Sequence, residues 1–227
     1  MKHTKLIFVA IALLCTCLAR GQTNFTYSSG TLNATIPDGN PTGFSSVANF
    51  SGLPGFITSI QVNLDITGGF NGDLYAYLVG PGGQAAFLLN RVGVTSGNGL
   101  GYSDTGFNIT LDSSGTFANI HNYQSGSHTL NGGGQLTGTW APDGRNIDPQ
   151  SAPSLFDTAS TAHDLSLFNG TIPNGEWTLF LADMSSGNTS TLVNWGLTIV
   201  TVPEPQTWAM VAGGVGMLLV LSRRSRR

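Results

Sequence analysis

From Ile57 to Ile66 the chain reads ITSIQVNLDI, and from Ile60 onward its apolar side chains fall on every second residue. Ile60, Val62, Leu64 and Ile66 take one face; Gln61, Asn63 and Asp65 take the other. A period of two places these side chains on one side of a strand and scatters them around a helix, so the stretch predicts a half-buried strand. The same rule sends Val193, Trp195, Leu197 and Ile199 of LVNWGLTIV inward, and Trp177, Leu179 and Leu181 of EWTLFLAD. DLYAYLVG is apolar on both faces and reads as a central strand. Between these runs lie GGFNG, GPGG, SGNGLG, NGGG and SSGN, which supply the positive-φ residues of tight turns. No stretch before Pro203 sustains a helical period, and the fold class expected is an all-β sandwich with long loops.

The two ends follow other rules. MKHTKLIFVAIALLCTCLARGQ has a basic start, an apolar core from Leu6 to Leu14 and small residues after it, the build of a secretory signal peptide over residues 1–21 with cleavage expected at Ala19-x-Gly21. Both cysteines, Cys15 and Cys17, lie within it, so the remaining chain has no disulfide to rely on. The other end, residues 203–227, carries Pro203, Glu204 and Pro205, an apolar segment from Thr207 to Ser222, and Arg223, Arg224, Arg226 and Arg227. As a helix that apolar segment spans roughly 24 Å, short of the roughly 30 Å hydrocarbon core of a bilayer. The arginines stay cytoplasmic by the positive-inside rule, which leaves the domain outside. Removal of the tail is the favoured reading, and a short anchor in a tilted or thinned arrangement is the other.

Residues 22–202 form one domain of ordinary size. Within it Arg91 and Arg145 are the only cations against ten aspartates and Glu176, a formal charge of −9. A lysine-free acidic surface cannot neutralise phosphates, which excludes nucleic acid as a partner and favours a divalent cation. Calcium is the metal expected, with Asp73 and Asp183 the first candidate ligands and Asp38, Asp104 and Asp112 also placed in or beside turns. The serine, histidines and aspartate of GSH at 126–128 and AHD at 162–164 lack any framing motif and read as loop polarity. His121 and His128 are spaced too loosely for a zinc pattern. The tract from Val92 to Pro153 is rich in Gly, Ser, Thr and Asn, with room for two or three short strands. Its isolated aromatics Tyr102, Phe107, Phe117 and Tyr123 are either core or a platform on which sugars stack.

The pieces IPDGNPTGFSS from Ile36, ITSIQVNLDITGGFNGDLYAYLVGPGGQAAFLL from Ile57, LTGTWAPDG from Leu136 and LSLFNGTIPNGEWTLFLADMSSGNTSTLVNWGLTIV from Leu165 occur in an order that resembles the P domain (P/Homo B) of kexin- and furin-like proprotein convertases. The most specific elements are Gly72-Asp73-Leu74 followed by LVGPGG, and Gly175 to Leu179 followed by Asp183 and Trp195. The resemblance implies a jelly-roll-like β-sandwich, without catalytic residues, that stabilises a protease domain in the convertases. The tail is similar to the PEP-CTERM sorting signal, which implies recognition by an exosortase and cleavage near Pro203 to Pro205.

Together these readings describe an exported, exosortase-processed, non-catalytic module of a Gram-negative-type bacterium. It associates transiently with the inner membrane and is delivered to the cell surface or extracellular matrix, with exopolysaccharide or other surface components as partners and a structural or adhesive role. The alternative is an accessory module that binds and stabilises a separate subtilisin-like serine protease.

Overall fold

The computed structural model describes residues 21–202 and 213–216. Ten strands form two sheets: β1 (Thr23–Ser28), β2 (Ala34–Ile36), β3 (Asn40–Phe50), β4 (Phe56–Gly68), β5 (Leu74–Val79), β6 (Ala85–Asn90), β7 (Gly106–Asp112), β8 (Leu136–Trp140), β9 (Gly175–Asp183) and β10 (Ser190–Val202). The larger sheet runs β1-β10-β4-β7-β8 with β2 also on β10, and the smaller runs β3-β9-β5-β6. Every pairing is antiparallel except β7 with β8. The inner faces bury one continuous core, so the fold is the all-β sandwich that the alternation implies.

The alternation of β4 holds, with Ile60, Val62, Leu64 and Ile66 all buried. In β10 the expectation fails at one residue. Trp195, Leu197 and Ile199 point inward, but Val193 is only half-buried and Leu192 takes the inward place. The register against β4 shifts between Leu192 and Asn194, so Val193 is the extra residue of a β-bulge. One unpaired residue reverses the phase of a period-two pattern, and an unbroken alternation from Val193 onward cannot reveal it. The freed Val193 carbonyl accepts from the amides of Leu32 and Asn33, fixing the approach to β2.

β5 is an interior strand of its sheet, as its apolar run implies. Leu74, Ala76 and Leu78 meet the core. Tyr75 and Tyr77 lie on the outer face, where Tyr77 stacks on Phe180 at 4.7 Å and both tyrosines lean on Phe87.

Trp177 and Trp195 are both fully buried, each with its own ring partner: Phe168 at 4.8 Å for Trp177 and Tyr27 at 5.2 Å for Trp195. Trp177 donates its indole N–H to the Pro173 carbonyl. Trp195 donates across the sandwich to Ser46 Oγ at 2.9 Å, so a residue of the larger sheet is tied to β3 of the smaller. A buried indole needs such an acceptor.

The tract 92–153 contributes β7, β8 and a 3-10 turn over Ile120–Ser125. Its aromatics divide by position. Phe107 and Tyr123 are core, Tyr102 packs partly buried against Tyr123, and Phe117 is exposed. A sugar platform built on Tyr123 is therefore ruled out, because its ring is enclosed and its hydroxyl donates to Asp104.

Among the described residues no helix is long and apolar enough to cross a membrane. Residues 213–216 form a helical turn. The signal peptide up to residue 20, Pro203 to Pro205, the rest of the 207–222 segment and the arginines lie outside the described residues.

Truncation separates the core position from the bulge: Trp195→Ala is expected to cost about 3–5 kcal/mol, and Val193→Ala less than about 1.5 kcal/mol. Equilibrium denaturation of both variants checks the assignment, and equal losses contradict it.

Candidate functional site

Asp183 is the last residue of β9, and its neighbours in the smaller sheet are Leu74 on one side and Asn40 on the other. Asp73 ends the 3-10 turn over Asn71–Asp73 that leads into β5, and its carbonyl accepts from the Met184 amide at 2.8 Å. The two residues expected to bind metal are thus brought together by the β5–β9 pairing. Asp183 is fully buried; one of its oxygens accepts from the Ser185 amide at 3.1 Å, and the other, Oδ2, has no partner. Asp38 adds a third negative charge nearby, held by the Gly187 amide.

Burial pushes the Asp183 carboxyl up to about 6; the backbone amides of Ser185 and Gly39 oppose the shift, and the charges of Asp73 and Asp38 add to it. Asp73 is raised as well, first by burial; its hydrogen bond with Ser185 and the charge of Arg91 pull the other way. Arg91 leaves β6 with φ at 49°, and its guanidinium reaches the Gly72 carbonyl at 3.3 Å and Ser185 Oγ at 3.5 Å. One of the domain's two cations therefore stands beside its most crowded carboxylates.

The other cation does the same elsewhere. Arg145 Nη1 lies 3.0 Å from Asp143 Oδ1, and His121 Nδ1 lies 2.7 Å from Asp143 Oδ2, with all three side chains buried. The second ring nitrogen of His121 faces the Val94 carbonyl at 3.0 Å, and the Asn90 amide completes the shell of Asp143. A histidine–aspartate pair can serve a nucleophile only if its outer nitrogen is free. Here that nitrogen is spent on backbone and sealed from solvent, so the group joins the ends of β6 and β8 to the loops between them.

The remaining candidates are committed to hydrogen bonds of their own. Asp104 accepts from Tyr123 and Gln124, and Asp112 from Gln61 and the Ser114 amide. His128 contacts the Gly126 carbonyl, and Asp164 caps the Ser166 amide. Among the described residues no group of three or more His, Cys, Asp or Glu side chains stands ready to hold a metal. The Asp73–Asp183 pair supplies carboxylate oxygens and one orphaned buried atom, which suits a hard cation, but calcium takes six to eight oxygens and the rest must come from carbonyls, hydroxyls or water. Sequence reasoning missed Asp143 altogether. The signal was present: a domain with two arginines and eleven acids places its scarce cations where acids are buried.

No family model matches the chain, and no curated protein matches it. Among solved structures, the Aeromonas sobria serine protease in complex with its chaperone resembles it with a TM-score of 0.45 and 15% identity, over 81% of this chain and 28% of the other. The same protease solved without the chaperone gives a TM-score of 0.43 and 13% identity, over 80% and 27%. The chain thus spans little more than a quarter of that protease's length.

The raised Asp183 sets a pH dependence. Its folded value of about 6 exceeds the ordinary aspartate value of 3.8, so the folded state holds the proton more tightly. Stability from this group is complete below the unfolded value and is lost as pH rises through about 6. Melting scans from pH 4 to 7 are expected to show a decline on the order of 1–3 kcal/mol, and Asp183→Asn, which carries no charge, is expected to flatten it and melt higher than wild type at pH 7. A wild-type profile that rises over this range contradicts the assignment.

Proposed function

We propose that this chain is an exported, exosortase-processed, non-catalytic β-sandwich module delivered to the surface or extracellular matrix of a Gram-negative-type bacterium, where its role is structural or adhesive. One observation carries the reading: the described strands fit between the two expected targeting segments. β1 starts at Thr23, two residues after the expected signal cleavage, and β10 stops at Val202, next to Pro203. Thr23 is paired with Thr201, so both segments leave from the same end of the larger sheet. Every core residue among the described residues lies between the two segments. This layout supports a membrane-bound intermediate held by the tail and released by cleavage. The closed His121–Asp143 pair supports a non-catalytic role, because the group that most resembles part of a triad has no access to substrate.

Calcium at Asp73 and Asp183 belongs to the same proposal, supported by the orphaned Asp183 Oδ2. Bound calcium would neutralise the pair outside the cell as a proton does at low pH. The melting temperature at pH 7 is expected to rise with calcium in the wild type and to stay unmoved in Asp183→Asn; indifference of the wild type to calcium and chelator removes the ion from the proposal.

Expression of the full chain, with an epitope tag in the exposed loop at Gly132, in exosortase-bearing and exosortase-deleted strains tests the main reading. The bearing strain should yield a surface fraction whose intact mass begins near Gln22 and ends between Val202 and Pro205. The deleted strain should retain the tail in the inner membrane, as should Glu204→Ala. Equal release from both strains overturns the processing step, and specific co-purification of a serine protease overturns the matrix role in favour of the accessory one.

A further inference from the structure

β8 is the edge strand of the larger sheet, and the chain ahead of it doubles back along its free side. The Thr137 amide donates to the Thr129 carbonyl and Leu130 bridges Leu136. Between the two segments lies an open depression of about 330 Å³, walled by Ser127, His128 and Thr129 on one side and Thr137, Thr139 and Trp140 on the other. Small-molecule sites begin at about 300 Å³.

The chemistry of the walls is uniform. No carboxylate, lysine or arginine lines the depression. The Trp140 indole N–H is taken by the Thr137 carbonyl at 3.0 Å, so that side chain offers ring carbon. Gly138, with φ at 102°, is also part of the lining, and a Cβ there would stand 3.6 Å from the indole nitrogen; Trp140 itself is core, 7% exposed, so only a small part of it reaches the depression. Thr137 spends its hydroxyl on the Thr129 carbonyl, while those of Ser127, Thr129 and Thr139 make no hydrogen bond among the described residues. His128 meets the Gly126 carbonyl through Nδ1 at 3.1 Å; because a carbonyl only accepts, the proton sits there and Nε2 is left to accept from a ligand. Tyr123 braces both sides, its ring 5.6 Å from His128 and 6.1 Å from Trp140.

We infer that this depression binds a sugar unit of an uncharged polysaccharide. A pyranose has a rim of hydroxyls that both donate and accept, the complement of the serine, threonine and histidine groups of this lining, with a small apolar contact at Trp140, and an open mouth lets the chain continue past the bound unit. Acidic sugars are disfavoured: the lining has no cation to receive them, and the domain around it carries a formal charge of −9. The choice of a polysaccharide rests on the proposed delivery to the matrix, but the two fail separately, since an unprocessed chain can bind sugar and a released one can fail to.

The test uses the full chain in zwitterionic detergent micelles, titrated calorimetrically with neutral hexose oligosaccharides and with uronic-acid oligosaccharides, and repeated with Thr139→Lys, His128→Ala and Tyr77→Ala. Thr139 and His128 are exposed, so the first two variants should melt as the wild type does. Saturable binding of a neutral oligosaccharide is expected, weakened at least about tenfold by Thr139→Lys, less by His128→Ala, and unchanged by Tyr77→Ala, which alters the aromatic outer face of the smaller sheet. The inference is overturned if no neutral oligosaccharide saturates, if uronic-acid oligosaccharides bind as well as neutral ones, if Thr139→Lys binds like wild type, or if Tyr77→Ala alone abolishes binding.

Discussion

The pairing of β10 is the constraint on which the rest of the sandwich depends. This last strand lies between β1 and β4, and it also holds β2. Its partners stand far back in the chain, Thr23 opposite Thr201 and Ile60 opposite Ile199. Trp195, on this strand, carries the hydrogen bond that reaches Ser46 in the opposite sheet. Contacts of such separation are slow to form because loop closure precedes any gain from packing. The larger sheet therefore cannot be completed until nearly the whole chain is available. This order of events suits the proposed export of an unfolded chain held at its end by a tail.

Scarcity of cations shapes the interior as much as the surface. Arg91 lies beside Asp73 and Ser185, and Arg145 pairs with Asp143, so neither of the domain's arginines is spent on ordinary surface solubility. The two groups differ in completeness. Asp143 accepts from His121, Arg145 and a backbone amide, whereas Asp183 retains an oxygen with no partner. A buried carboxylate without a full shell must bind a proton or a cation or else lower the stability of the fold. That imbalance makes the Asp73–Asp183 pair responsive to conditions, while the His121–Asp143–Arg145 group is a fixed joint.

Much of the fold was legible because strand periodicity is a local property. Ile60 to Ile66 and Trp177 to Leu181 could be assigned to the core from spacing alone, and Asp73 and Asp183 could be singled out from their turns. The bulge at Val193 was not legible, since its cause is a register fixed by β4 and β2 rather than by β10 itself. The tract from Val92 to Pro153 was illegible for a related reason. β7 alternates but lies among Gly- and Ser-rich loops, β8 has five residues and pairs with it in parallel, and Gln135 supports them by donating to Asp65 and the Ile66 carbonyl, contacts that no local pattern announces. Tyr123 looked the same as an exposed sugar-binding tyrosine until its hydroxyl met Asp104 and its ring met Tyr102.

The sequence by itself determined the strand-rich class, the acidic balance of residues 22–202 and their lack of cysteine, because each depends on composition, on period or on neighbours along the chain. The tertiary structure alone decided which aspartates meet, which histidine is sealed, and where a depression with uncharged walls opens beside β8. Those depend on strand order and register, which bring together residues such as Asp73 and Asp183 or His128 and Trp140 that no spacing in the chain relates.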